Sequence, residues 1–201
     1  MLHIHPIFAD PDPDIGGLYA VRFDNENHNA YEDFKEFIDP ATPDRLEKEI
    51  VDHWPQLEPG SYCDFESIEV ALDKVQKEGS DFLASLKLAA LKGRPPLGKL
   101  FEQLDNIGDK KRPGFKQAEK LKNKVAPKVL RIYCIRIHDS LYVMTGWSLK
   151  YGEKMSEYIE GRRQLSRFES VNERLLYTTQ DDLYQEYRTY FTNKTIHLSN
   201  E

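Results

Sequence analysis

Chemistry on a phosphodiester calls for fixed positive charge against the scissile phosphate and a nearby group that can give or take a proton. Arg131, Tyr133, Ser148 and Lys150 supply these types from two stretches separated by one short turn. Strand alternation is what would bring them together. Residues 129–137 are dominated by Val, Ile and Tyr, His138-Asp139-Ser140 supplies the turn, and residues 141–147 are apolar again, which predicts a β-hairpin. If Asp139-Ser140 is a two-residue connection, residues whose numbers sum to 279 face each other. One face then carries Leu130, Ile132, Cys134, Leu141, Val143, Thr145 and Trp147 and packs on helices. The other carries Ile135, Ile137, Tyr142 and Met144 near the turn. At its open end stand Arg131, Tyr133, Ser148 and Lys150, beside Gly146, whose missing side chain leaves the backbone approachable. Taken singly, Arg131 reads as an ion-pair partner and Tyr133 as a half-buried aromatic with a wet hydroxyl; as a group they fit a phosphate.

The rest of the chain supplies the elements to hold such a hairpin. Residues 3–8 alternate weakly and 18–23 are apolar, so both read as strands. Helical spacing predicts helices over 30–38, 44–54, 65–77 and 82–92, the last two separated at Gly79-Ser80-Asp81, then a short helix over 97–104. Residues 108–128 are basic and poor in apolar side chains, and read as loop or exposed short helix. A charged helix follows over 153–168 and another over 181–191. No repeat or long linker divides the chain, so it reads as one α+β domain.

Charge is distributed unevenly along it. Residues 1–86 hold 6 basic and 20 acidic side chains, a net of -14; residues 87–163 hold 18 and 8, a net of +10. The basic part holds Lys110, Lys111, Arg112, Lys116, Lys120, Lys124, Lys128 and Arg136, which together suit a polyanion such as RNA. No apolar run approaches the roughly 20 residues a membrane span needs. Cys63 and Cys134 lie far apart and outside any CxxC, and the amino terminus lacks a secretory pattern, which points to a reducing, cytoplasmic setting. His3 and His5 share one face of a strand without a third metal ligand nearby in sequence, so they read as surface residues. No GxGxxG, GK[ST] or GxSxG pattern occurs, and no cofactor is implied.

The run from Val129 through Arg131-Ile132-Tyr133 and Thr145-Gly146-Trp147 to Lys150 and Lys154 resembles the central hairpin of the RelE/HigB-like toxin superfamily. The resemblance covers roughly residues 64–168 plus the strand 18–23. It implies a small twisted antiparallel sheet with a central hairpin (129–137, 141–147) packed against several helices. The toxin-like core would span about 16–24 and 64–168, with an acidic helical insertion at about 30–62 and a C-terminal helical extension over 169–201. It also implies an endoribonuclease that cuts mRNA by attack of a ribose 2′-hydroxyl on its neighbouring phosphate, on or off the ribosome, and an antitoxin protein as partner. Arg131, Lys150 and Lys154 would be the phosphate-stabilising cations, and Tyr133 a proton-transfer or base-stacking residue. Two other readings stand beside this one: a non-catalytic protein-interaction module on the same fold, and a toxin masked by its own acidic amino-terminal segment.

Overall fold

The computed structural model describes residues 1–9, 17–92, 97–103, 118–121, 129–138, 141–152, 155–177 and 196–198. Seven strands lie in it: β1 (Leu2–Ala9), β2 (Gly17–Phe23), β3 (Phe101–Gln103), β4 (Ala118–Leu121), β5 (Leu130–His138), β6 (Leu141–Leu149) and β7 (Ile196–Leu198). They form one sheet in the order β3-β4-β5-β6-β2-β1-β7. All neighbours are antiparallel except β2 and β6, which run parallel, so the α+β expectation holds and the strand over 18–23 joins the hairpin in the opposite sense from an all-antiparallel sheet.

The hairpin pairs as alternation dictates at its open end and departs from it near the turn. Leu130, Arg131, Ile132 and Tyr133 face Leu149, Ser148, Trp147 and Gly146, each pair summing to 279. Beyond Tyr133 the register shifts, so that Cys134 faces Met144 and Ile135 faces Val143. The extra residue on β6 is Thr145. A bulge of this kind moves the side chains beyond it to the other face, up to a second shift between Arg136 and His138. Tyr142 and Met144 therefore share the face of Ile132 and Cys134, and Val143 joins Ile135, which corrects the assignment near the turn.

Helices cover both faces of the sheet. Helix α1 (Ala30–Phe37) starts in a capping box, with the Asn29 side chain accepting from the Tyr31 and Glu32 amides and Glu32 accepting from the Asn29 amide. It lays Phe34 and Phe37 against Trp147, with ring centroids 5.8 and 4.1 Å away. Helix α2 (Asp44–Asp52) sends Arg45 over the same indole, and a short α3 (Trp54–Leu57) follows. On the Tyr133 face lies α5 (Ile159–Tyr177), preceded by a 3-10 turn, Met155–Glu157. The charged helix thus begins later and runs further than residues 153–168.

Between these, α4 (Ile68–Lys92) is one continuous helix where two were predicted. Gly79 is responsible for the misreading: a Cβ built there would stand 2.7 Å from Ile38 Cδ1 and Cγ2, so the glycine admits a close approach of chains and ends nothing. Gly79→Val is expected to destabilise the fold by about 1–3 kcal/mol through overpacking, even though valine is the better helix former. A denaturation midpoint no lower than that of the native chain would show that Ile38 can yield.

Two further expectations are corrected at the other edge. The helix expected over 97–104 is a 3-10 turn, Leu97–Lys99, followed by β3. Residues 118–121 of the basic stretch are strand, not loop or helix, because β4 completes the ladder between β3 and β5. The helix predicted over 181–191 lies outside the described residues. Among the described residues no helix is long and apolar enough to cross a membrane.

Candidate functional site

The register brings Arg131, Tyr133, Ser148 and Lys150 to one end of one face, as the hairpin predicted. Tyr133 Oη lies 3.1 Å from Ser148 Oγ. Arg131 is only 8 % exposed, and its one hydrogen bond among the described residues is donated to the carbonyl of Leu130 at 2.8 Å. No carboxylate among the described residues pairs with it. A guanidinium withdrawn from water without an opposite charge is costly, and the cost is relieved when an anion arrives. Its charge acts on Tyr133, Tyr158 and Cys63, which places all three around it.

The phenols here are acids held in reserve. Burial pushes Tyr133 well above the ordinary phenol range, helped by Tyr158 beside it. Tyr158 is raised by burial as well; its hydroxyl lies near those of Tyr133 and Ser148 and makes no hydrogen bond among the described residues. Tyr133 therefore stays protonated at neutral pH. Lys150 stands at the rim, its ammonium on the Tyr62 hydroxyl and 4.4 Å from that ring's centre. Its carbonyl accepts from Cys63 Sγ at 3.3 Å. Burial lifts the Cys63 thiol to about 11, so it is no nucleophile at neutral pH.

Buried phenols also make alkali a probe of the fold. Tyr19 is raised by burial to about 12, and Tyr133 and Tyr151 are raised further, Tyr151 by burial and by the Glu49 carboxylate that accepts its hydroxyl at 2.6 Å. In the unfolded chain these groups ionise near 10. A pKa raised in the folded state leaves stability intact below about pH 10 and removes it as pH climbs from there. Phenolate absorbance of the buried tyrosines is expected to rise together with loss of structure; ionisation well before unfolding would contradict their burial.

The other residues singled out in the sequence are distributed differently. Lys120, on β4, pairs with Tyr133 across the ladder, so its backbone stands on the site's side of the hairpin. Arg136 belongs to the opposite alternation, the face of Cys134, and is not brought to the site. Lys110, Lys111, Arg112, Lys116, Lys124, Lys128 and Lys154 lie outside the described residues. Gly146 does not leave its backbone open: the side chain of Gln164, from α5, fills the space a Cβ would occupy.

Reading the sequence missed the residues that close the site, Tyr62 and Tyr158, and the ones that shape its other flank. The pairing of β2 with β6 stops at Ala20 and Met144, and beyond it the two strands part. Arg167 of α5 holds the parting, donating to the carbonyls of Thr145 and Val21 and to both oxygens of Glu26. A cleft of about 490 Å³ opens there, with Trp147, Asp33 and Arg45 on one side and Arg163 and Gln164 on the other. Asp33 accepts from Trp147 Nε1 at 2.8 Å and from Arg45 at 2.7 Å. No spacing in the sequence announces the Trp147–Asp33 and Arg167–Val21 contacts, because each joins a helix to a strand more than 100 residues away.

Among the described residues no group of three His, Cys, Asp or Glu side chains stands together as a metal site. No family model, no curated protein and no solved structure matches this chain.

Proposed function

We propose that the chain is a RelE/HigB-like RNA-cleaving toxin whose working face is the open end of the β5–β6 hairpin. The observation that carries this reading is Arg131, a nearly buried guanidinium with no carboxylate partner among the described residues. A phosphodiester supplies the missing anion. In this reading a ribose 2′-hydroxyl attacks its neighbouring phosphate and gives its proton to water, Arg131 and Lys150 stabilise the charge that builds on the phosphate, the P–O5′ bond breaks as protonated Tyr133 donates to the departing 5′-oxygen, and Tyr133 regains a proton from water. Lys120 and the basic stretch around it guide the RNA backbone to the site. Access requires the Met155–Glu157 turn and the start of α5 to swing aside, since Tyr133 is 3 % exposed. Tyr62, from the acidic amino-terminal part, sits on Lys150 and contributes to the closed form, which supports self-masking.

The same burial favours a second reading, a non-catalytic protein-interaction module on a toxin-like fold with an antitoxin-like protein as partner. RNA retention by the intact chain separates the two. Phosphate-driven binding releases counterions, so retention is expected to fall steeply and log-linearly as salt rises. An intact chain that retains no RNA at low salt, arrests no growth and cuts no RNA would leave the interaction module as the reading to pursue.

A further inference from the structure

Where β2 parts from β6, a short edge of β6 is left without a partner strand, and the cleft opens against it. The amide of Lys150 donates to the carbonyl of Val129 at 2.6 Å, which makes Val129–Lys150, Arg131–Ser148 and Tyr133–Gly146 the hydrogen-bonded pairs of the β5–β6 ladder. The backbone groups of Trp147 and Leu149 therefore point away from β5, toward the side that β2 has left. Thr145 shares this edge, and Arg167 takes up its carbonyl. The amides and carbonyls of Trp147 and Leu149 on that side have no hydrogen bond among the described residues. Both residues line the cleft, and Leu149 is 2 % exposed. Backbone groups so well covered are nearly always paired, and an unpaired strand edge is a template for another extended chain. Gln164, on the facing wall, likewise has its Oε1 out of water and without a donor.

Charge decides what kind of chain fits. Five carboxylates line the cleft against three guanidiniums. Glu26, Asp33 and Glu160 have the guanidiniums as partners. Glu36 and Glu49 have none: His28 stands 3.4 Å from the first, and the Tyr151 hydroxyl and His53 serve the second. We propose that the cleft docks an extended segment of a partner protein that carries a lysine or arginine, added as a short strand beside β6. Its main chain would pair with Trp147 and Leu149, and its cation would lie toward Glu36 and Glu49. Strand addition takes its affinity from main-chain hydrogen bonds and its specificity from the side chains around them. The surplus of acid disfavours a nucleic-acid phosphate, which sets this surface apart from the hairpin cluster. Arg131, Tyr133 and Lys150 do not line the cleft, and the proposal stands whether or not the hairpin cuts RNA.

The test presents the intact chain with three pools of fluorescein-labelled pentapeptides, capped at both ends and randomised around the central residue. One pool has a central lysine, one a central glutamate, and one a central lysine with its amides N-methylated. The first is expected to bind at least about tenfold more tightly than the other two. Its binding should slow deuterium exchange at the Trp147 and Leu149 amides, and change little at Gly146 and Ser148, which the ladder already protects. Glu36→Lys places a cation in the last turn of α1, where it suits the helix, so the melting midpoint should hold while the preference for lysine over glutamate disappears. Failure of the lysine pool to bind, equal binding of the N-methylated pool, or unchanged exchange at both amides would overturn the proposal. So would a lysine preference undiminished in a folded Glu36→Lys chain. Self-association of the intact chain in sedimentation that Glu36→Lys abolishes would make a second copy the occupant, and overturn it as well.

Discussion

Replacing Arg131 by methionine is expected to lower RNA cleavage by about 10²–10³-fold, the usual worth of a group aimed at charge that develops in the transition state. The melting midpoint should stay where it is or rise. This combination follows from the charge's surroundings. Arg131 is almost covered by protein and, among the described residues, has no carboxylate to lose. Removing one half of a buried ion pair costs about 3–5 kcal/mol because the other charge is stranded, whereas exchanging an uncompensated charge for an apolar chain of similar length strands no charge and takes only one donor from the Leu130 carbonyl. Lys150→Met should lower cleavage with a smaller effect on folding, since Lys150 lies at the rim against Tyr62. Tyr133→Phe keeps the ring and removes the donor; it leaves Ser148 without the hydroxyl 3.1 Å away. A large fall in melting for Arg131→Met would show instead that the residue is a structural partner.

Arg167→Ala is expected to have the largest effect on the fold, a loss of about 2–4 kcal/mol. Arg167 and Glu26 are 16 % and 25 % exposed, so their pairing is partly screened, which sets the figure below that of a fully buried pair. The guanidinium also satisfies the carbonyls of Thr145 and Val21 where β2 and β6 part, and its plane lies over Phe23 at 4.7 Å. Without it, α5 loses its tie to both strands. Glu26→Gln should show most of the same loss, and the double variant should cost less than the two singles added together. Additive effects would mean that Arg167 acts through the backbone carbonyls and not through Glu26. Because α5 covers the hairpin face, the same variant should loosen the cover over Tyr133, seen as faster hydrogen exchange in β5.

How far the sequence reveals this molecule depends on the range of the interaction that decides each feature. The hairpin's open end was legible because a short turn and two-residue alternation are local, and they place Arg131 opposite Ser148 and Tyr133 opposite Gly146. The bulge at Thr145 was not, since an extra residue in a β-branched run leaves the pattern of residue types unchanged while reversing the faces beyond it. Gly79 carried the signature of a helix stop, yet its reason is Ile38, 41 residues earlier. Residues 118–121, Ala-Glu-Lys-Leu, are poor strand formers by composition, and they extend because β3 and β5 flank them. The site divides in the same way. Its cations and Tyr133 lie on one local hairpin, whereas Tyr62, Tyr158, Arg167 and Asp33 arrive from elements whose approach no periodicity encodes.

The chemistry of the RNA ends tests the central claim most directly. Intact RNA incubated with the intact chain should yield fragments ending in a 2′,3′-cyclic phosphate, with 5′-hydroxyl termini on their partners, since attack by the neighbouring 2′-hydroxyl leaves no other ends. The Arg131→Met chain, folded and matched in concentration, should yield them about 10²–10³-fold more slowly. Fragments carrying 5′-phosphates, an equal rate from the Arg131→Met chain, or no fragments at all would contradict the assignment of this hairpin as a ribonuclease site.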